Sequence, residues 1–269
     1  MNLPSNKIGG AFLGIKKNKY FYKDIILQMK TIAIIPARGK SKRLPSKNLL
    51  LLCRIPLFVH SILYAQKNST IIDEIYVSTD DATIKKIALH YGAKVIDRPE
   101  SLSGDFEPTV SALKHVLESI ADEVENVILL QATNPLRPEK LLKEAFETYQ
   151  NENQDSLFTV SRNDQKLGKI VANKFIPFNY EIGQRSQDLE PLYFENGLLY
   201  ISKAKLILEG KIISESAFPY EVNSIFANVD IDIQADLDYA EYVLGKFSVK
   251  EKHTPSPVIA KNEATQEGS

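Results

Sequence analysis

Apolar and polar positions follow two alternating patterns between residues 31 and 244. Short apolar runs bounded by turn residues are typical of buried strands, and apolar positions three or four residues apart are typical of amphipathic helices. These patterns predict strands at 31–35, 74–79, 94–96, 126–130, 156–160, 198–201 and 225–229. They predict helices at 56–66, 81–91, 109–120, 138–149, 203–209 and 234–244. We therefore expect an α/β fold: a Rossmann-like, mostly parallel sheet with helices on both faces.

Residues 162–195 interrupt this alternation. They are rich in Gly, Pro and Asn, with an isolated strand candidate at 168–172. The sequence predicts a protruding insertion here. Its scattered apolar residues either cover the domain's own core or form a contact surface; they are Ile170, Val171, Phe175, Ile176 and Phe178.

The two ends of the chain differ from the middle. Residues 1–30 show no recognisable signal peptide, and Met29 stands just before the first predicted strand. Residues 250–269 are polar and are predicted to be disordered. We expect one domain over 29–249, with 1–28 as a dispensable extension.

Composition excludes several classes of protein. The formal net charge of −1 gives no general field that would attract nucleic acid. The single cysteine excludes an intrachain disulfide and fits a reducing compartment, so we expect a cytoplasmic protein. No apolar run approaches the length of a membrane span, so neither nucleic acid nor a membrane is an expected partner.

The segment after the first strand carries the strongest chemical signal. We call residues 37–48 the basic loop; it holds five cations, Arg38, Lys40, Lys42, Arg43 and Lys47. Gly39 and Ser41 allow close backbone approach, and α/β sheets bind ligands at the carboxyl ends of their strands. The loop therefore predicts a polyphosphate site, against the alternative of a solvated basic turn. It matches neither the Walker A pattern nor G-x-G-x-x-G.

Acidic residues follow two later predicted strands. Asp80 either lines the same edge of the sheet or caps the next helix. Asp230 and Asp232 stand at i and i+2, so on an extended segment both point to one side. Such a pair suits Mg²⁺, which takes one or two carboxylates with phosphate oxygens. The alternative is a strand-end Asp followed by a helix-capping Asp.

The basic loop reads A-R-G-x-S-K-R-x-P-x-K-N, which resembles the signature of sugar cytidylyltransferases, especially those that make CMP-sialic acid and related CMP-nonulosonates. The resemblance extends through much of residues 31–245. Residues 129–137 resemble L-L-Q-P-T-S-P-L-R, with Ala132 and Asn134 as departures, and 195–200 match E-N-G-x-x-Y. Residues 230–232 resemble the D-I-D segment of the family.

This resemblance implies a nucleotidyltransferase fold of the GT-A-like type and transfer of CMP from CTP to a nonulosonic acid. It implies nucleotide contacts by Ala37, Arg38, Gly39, Ser41, Lys42, Asn48 and Arg98. It implies catalytic roles for Lys47 and Arg185, and sugar contacts by Gln131, Asn196 and Tyr200. Asp230 and Asp232 would hold Mg²⁺ or Mn²⁺.

Two points stay open within the resemblance. Ser186 aligns where many members have an arginine, and Arg185 lies one position earlier. The resemblance also implies a homodimer through residues 162–195. The alternative functions are a cytidylyltransferase for legionaminate or an octulosonate, a nucleotide-sugar glycosyltransferase, and a non-catalytic nucleotide-binding module.

Overall fold

The computed structural model describes residues 30–251, with side chains to residue 246. The predictions for 1–28 and for most of 250–269 lie outside the described residues; residues 250 and 251, predicted to be disordered, instead lie at the end of the last helix. The strands are β1 (Lys30–Pro36), β2 (Leu51–Leu52), β3 (Ile55–Pro56), β4 (Glu74–Thr79), β5 (Lys94–Asp97), β6 (Val124–Leu129), β7 (Ser156–Asn163), β8 (Gly168–Val171), β9 (Lys174–Pro177), β10 (Leu192–Lys203) and β11 (Phe218–Glu221). The helices are α1 (Leu57–Lys67), α2 (Ala82–His90), α3 (Thr109–Ser119), α4 (Leu141–Glu152), α5 (Ala204–Leu208) and α6 (Gln234–Glu251).

Seven strands form the central sheet in the order β11-β7-β10-β6-β1-β4-β5. Neighbouring strands β6, β1, β4 and β5 run parallel to one another. Strand β10 is antiparallel to both β6 and β7, and β11 is parallel to β7. The sheet is therefore mostly parallel, as predicted.

Helices cover both faces of this sheet, and strand β1 shows why. Ala33 and Ile35 belong to the core cluster with α1, α2 and α4, whereas Ile32 and Ile34 belong to the cluster with α3 and α5. Successive side chains of a strand point to opposite faces, so a continuous apolar run supplies two cores. The predicted α/β class is confirmed.

A third, smaller core lies beside the sheet. Apolar residues of α6 pack there against the β2–β3 hairpin and the segment before α6; the members include Leu52, Leu57, Val229, Ile231, Leu237, Ala240 and Val243. This packing brings the segment with Asp230 and Asp232 next to the end of the basic loop.

One predicted strand is wrong. Residues Ile225–Asn228 form a 3₁₀ turn, and four strands of the structure, β2, β3, β9 and β11, are not among the predicted ones. The sequence of β11, Phe-Pro-Tyr-Glu, does not indicate a strand, because Pro219 has no N–H to donate to a neighbouring strand. In the described sheet β11 lies at the edge and pairs with β7 alone, a position where proline is tolerated.

The insertion contains a separate two-stranded hairpin, β8–β9. Ala172 and Asn173 at its turn have positive φ values of 48° and 62°, the geometry of a tight two-residue hairpin turn. Ile170 and Phe178 are 78% and 67% exposed, so they do not cover the domain's own core. Among the described residues, no helix is long and apolar enough to cross a membrane.

Candidate active site

The basic loop folds back across the end of strand β4. Ala37 is buried and donates its N–H to the carbonyl of Ser78, and the Gly39 N–H donates to Oδ1 of Asp80 at 2.8 Å. A Cβ on Gly39 would lie 2.7 Å from Cβ of Asp81, so only glycine fits there. The Asn48 side chain closes the loop by donating to the Arg38 carbonyl at 2.9 Å.

The two readings of Asp80 are resolved by its neighbour. Asp81 caps helix α2, because its Oδ1 accepts from the N–H groups of Thr83 and Ile84 at 2.8 and 2.9 Å. Asp80 is therefore free of the cap and instead holds the basic loop through Gly39.

Each cation of the basic loop faces a carboxylate. Asp105 pairs with Arg38 and Lys42 at 2.9 and 2.7 Å. Asp232 pairs with Lys47 and Arg43, both at 2.8 Å. Lys40 and Glu100 form a looser, highly exposed pair at 3.8 Å. Three acidic residues from two distant segments thus face five cations, which leaves the region with an excess of positive charge.

A first cavity of about 250 Å³ opens beside this loop, at the carboxyl ends of β1 and β6. Its lining includes the predicted site residues Arg38, Ser41, Lys47, Asn48, Arg98 and Gln131. Ala37, Gly39 and Lys42 belong to the same loop without lining the cavity. The structure thus brings the predicted nucleotide residues to one place.

Arg98 is buried in this wall rather than paired at the surface. Its guanidinium donates to the Ser78 hydroxyl at 3.0 Å and to the Ser78 carbonyl. Burial lowers the pKa of Arg98 to about 10, with Asp80 opposing that change, so the group stays charged at neutral pH. Asp97, its neighbour in sequence, pairs with Lys85 at 2.6 Å.

A second cavity of about 480 Å³ lies beyond Gln131, and its lining includes Tyr200, Asn196, Glu195 and Asp230. A third, of about 350 Å³, shares Gln131, Glu195 and Tyr200 and adds an apolar wall of Val110, Ile212 and Ile213. Gln131 lines all three cavities, so it marks the junction between the cationic side and the polar side of the site.

Tyr200 and Glu195 form one unit in the second cavity. The Tyr200 hydroxyl donates to Oε1 of Glu195 at 2.5 Å. Burial and then the Glu195 carboxylate raise the pKa of Tyr200 well above its usual range, while a hydrogen bond with Gln131 acts in the opposite direction. Tyr200 therefore remains a neutral hydroxyl.

The side chain of Asn196 is used within the protein. Its Oδ1 accepts from the Thr159 hydroxyl at 2.6 Å and from the Leu198 N–H at 3.1 Å, and its Nδ2 donates to Ser161. Asn196 is buried beside the second cavity and shapes its wall. A direct contact between Asn196 and the sugar stays a prediction.

Backbone contacts hold Asp230 from both sides. The N–H of Ile231 donates to the Thr133 carbonyl at 2.8 Å, and the Asn134 side chain donates to the Val229 carbonyl at 3.1 Å. Asp230 lines the second cavity and is exposed there. The protein atoms around its carboxyl group reduce its hydration, and this desolvation raises the pKa of Asp230. The charge of Asp232 adds to that increase, and a hydrogen bond from Thr133 opposes it.

The Asp232 side chain does not cap α6, because both of its carboxylate oxygens pair with cations of the basic loop. Oδ2 of Asp236 accepts from the N–H groups of Asp232 and Ile233 at 2.8 and 2.9 Å, at the start of α6. The Asp232 carboxylate is left to face Lys47 and Arg43.

The donor set at this position fits a magnesium ion. Residues 30–251 contain no group of three or more His, Cys, Asp or Glu side chains arranged for a metal. Mg²⁺ does not require one, because it binds through one or two carboxylates, phosphate oxygens and water. The carboxylates of Asp230 and Asp232 repel each other, and a divalent cation between them would reduce that repulsion.

Arg185 is not brought to the three cavities of its own chain. It lies on the insertion, is exposed, and forms a two-bond pair with Asp188 at 2.7 and 3.0 Å. A catalytic role would require the insertion to reach a site on another copy, and it stays a prediction.

Sequence reasoning missed three residues of this region. Asp105 stands in a polar loop without any recognisable spacing, and Glu195 was read only as part of its motif. Asn134 was noted as a departure from the family pattern, but its buried bonds to two carbonyls depend on tertiary structure.

Comparisons with known proteins address the family of the chain. The model of a protein family described as cytidylyltransferase matches residues 32–262. N-acylneuraminate cytidylyltransferase of Streptococcus agalactiae serotype III is 33% identical over 233 residues, covering 83% of this chain and 56% of that protein. The chain thus spans about half the length of that relative.

A second relative has a length closer to that of this chain. CMP-N,N'-diacetyllegionaminic acid synthase of Legionella pneumophila is 34% identical over 236 residues, covering 80% of this chain and 97% of that protein. The structure of CMP:2-keto-3-deoxy-manno-octonic acid synthetase complexed with CTP superposes with a TM-score of 0.62 at 18% identity, covering 81% of this chain and 99% of that one. From the match over most of its length, the chain belongs to the cytidylyltransferase family.

Proposed function

We propose that this protein transfers CMP from CTP to the anomeric hydroxyl of a nonulosonic acid and releases pyrophosphate. The observation that carries the proposal is the position of Gln131, which lines both the cation-walled first cavity and the polar second cavity. A nucleotide in the first and a sugar in the second would meet at this residue. The names of the relatives support the same substrate classes.

The first cavity would hold the nucleotide. Arg38 and Lys47 supply positive charge to the triphosphate, and preorganised charge of this kind stabilises the transition state of phosphoryl transfer. The buried Arg98 adds a fixed cation in the same wall. The oxygen of the anomeric hydroxyl attacks the α-phosphorus and its proton passes to water, while the bond to the bridging oxygen breaks and pyrophosphate leaves with the electron pair.

The second and third cavities would hold the acceptor sugar. Gln131 and the Glu195–Tyr200 pair offer hydrogen-bond partners for its hydroxyl and amide groups. Ile212 and Ile213 offer an apolar wall that suits a methyl or acyl substituent. This division matches a sugar with both polar and apolar substituents.

Asp230 and Asp232 would hold the Mg²⁺ or Mn²⁺ ion. When bound, the ion neutralises phosphate charge and helps to position the reacting oxygen. Lys47 contacts the carboxylate of Asp232, so the protein itself keeps a positive charge beside this proposed ion ligand. Lys47 would stabilise charge on the departing pyrophosphate.

We also propose that the protein is a cytoplasmic homodimer joined through residues 162–195. The exposed apolar residues of the β8–β9 region support an interface, because single water-exposed hairpins rarely carry so many. Light scattering should give twice the chain mass, and Ile170→Asp should shift it to one chain mass. Leu89→Asp, at an exposed apolar site outside the insertion, is the matched control. A monomeric wild type contradicts the dimer.

The test of the reaction is a panel of acceptors. Sialic, legionaminic, pseudaminic and octulosonic acids are incubated with CTP and Mg²⁺, and pyrophosphate release is measured. Release with a nine-carbon acid supports the proposal. Pyrophosphate release only with the octulosonate identifies the alternative substrate. In a parallel assay with a nucleotide-sugar in place of CTP, release of free nucleoside diphosphate identifies a glycosyltransferase. CTP binding without turnover of any acceptor identifies a binding module.

A further inference from the structure

Asp105 pairs with two of the cations that the nucleotide would contact, Arg38 and Lys42. Its Oδ1 lies 2.9 Å from a terminal nitrogen of Arg38, and its Oδ2 lies 2.7 Å from Nζ of Lys42. Both carboxylate oxygens are therefore engaged by the basic loop. The side chains of Asp105 and Arg38 are each about one third exposed, at the edge of the first cavity.

The same segment engages both terminal nitrogens of the Arg38 guanidinium. The other terminal nitrogen of Arg38 donates to the carbonyls of Gly104 and Ser103 at 2.9 and 3.4 Å. Arginine grips a phosphate through parallel N–H bonds from this fork. A phosphate oxygen can take that position only if residues 103–105 withdraw.

In the described part of the chain, the other hydrogen bonds of residues 103–106 are local: Ser103 donates to the carbonyls of Glu100 and Pro99, and the Glu107 N–H donates to the Gly104 carbonyl. Phe106 is 96% exposed and buries almost no apolar surface; its ring centroid lies 5.9 Å from the ammonium of Lys42. The cavity that the segment narrows, about 250 Å³, is smaller than the roughly 300–1,000 Å³ usual for a ligand site. Withdrawal would therefore enlarge the cavity without opening the apolar core.

We propose that Asp105 is an internal substitute for a phosphate group: it pairs with Arg38 and Lys42 in the nucleotide-free site, and binding of a nucleoside triphosphate displaces it together with residues 103–106. The inference rests on the proposed use of CTP. A phosphate group carries more negative charge and more acceptor oxygens than a carboxylate, so it wins the competition for the two cations. Once pyrophosphate has left, Asp105 pairs with them again.

The first test measures CTP affinity by calorimetry, without any sugar acceptor. Asp105→Asn removes the competing charge and keeps the shape of the side chain, so CTP should bind roughly three- to tenfold more tightly. Glu100→Gln is the matched control, since it removes one charge from the exposed pair with Lys40. We expect its affinity to stay within about twofold of wild type. An Asp105→Asn protein that binds CTP no more tightly than wild type overturns the inference.

The second test observes the displacement directly. The chain contains no tryptophan, so Phe106→Trp places a single fluorescent reporter at an exposed position of the segment. CTP should change its emission, whereas cytidine, which has no phosphate, should not. Adding Asp105→Asn should shift the emission of the free protein towards that of the CTP-bound form. An emission unchanged by saturating CTP, or changed equally by cytidine, contradicts displacement by phosphate. If wild type binds no CTP in calorimetry, the proposed nucleotide itself is wrong.

Discussion

Nζ of Lys47 lies 2.8 Å from Oδ1 of Asp232, although 185 residues separate them in sequence. This contact joins the end of the basic loop to the acidic segment before α6. The Lys47 side chain is 12% exposed and that of Asp232 is 29% exposed, so the pair is better shielded from water than a surface ion pair. Lys47, the proposed phosphate-binding cation, and Asp232, the proposed ion ligand, therefore position one another.

Asp232→Asn should reduce turnover on the order of 10²-fold or more, because a proposed ion ligand loses its charge. Folding should change little, since the shape is kept and Asp236 still caps α6. Initial rates over a range of Mg²⁺ concentrations measure the effect. The control is Asp238→Asn, an equal charge change on an exposed residue of α6. Near-normal turnover of Asp232→Asn with unchanged Mg²⁺ dependence excludes it as a ligand.

The parts of the structure that depend on local pattern could be predicted from the sequence. The apolar run of β1 and the position of the basic loop after it are both found as expected. Strand β11 could not be predicted, because its pairing with β7 makes a proline-containing segment into a strand. The contact of Asp105 could not be predicted either, since only the folded chain brings it to Arg38, which lies 67 positions earlier in the sequence.

Gly197→Ala should destabilise the protein by about 2–4 kcal/mol. Gly197 has a φ of +74°, and a Cβ there would lie 2.7 Å from Oδ1 of the buried Asn134. Gly210→Ala separates the strain of a positive φ from the clash with a neighbouring side chain. The φ of Gly210 is +85°, but nothing lies within 4 Å of an added Cβ. That control should lose only about 1 kcal/mol. Denaturant unfolding measures both, and equal losses would show that the contact with Asn134 is unimportant.

Glu74 should make stability depend on pH. Its carboxylate accepts from Lys30, Lys94 and the Tyr76 hydroxyl, and its pKa is lowered to about 2 from an ordinary 4.5 because these bonds outweigh burial. The contribution is fully present above pH 4.5 and is lost as the pH falls towards 2. Glu74→Gln should therefore cost about 1–3 kcal/mol at pH 7 and about half as much at pH 3. Glu118→Gln, in an exposed pair with Lys114, should show no such trend in unfolding measurements.

Arg137→Lys should destabilise the protein by about 2–4 kcal/mol although the charge is kept. The buried guanidinium donates to the carbonyls of Leu198 and Gln131 at 2.6 and 2.9 Å and to the Ser61 hydroxyl at 3.1 Å. Burial lowers the pKa of Arg137 only to about 10, so it is charged at neutral pH, and its hydrogen-bond partners among residues 30–251 are all neutral. One ammonium cannot reach all three oxygens, and buried carbonyls would lose their donors. Arg162→Lys, at an exposed pair, is the control and should change unfolding free energy by less than about 0.5 kcal/mol.

Arg137→Lys should also raise the KM for the acceptor sugar, because Arg137 holds the carbonyl of Gln131, which lines all three cavities. A variant with wild-type stability and KM would show that one ammonium satisfies this site.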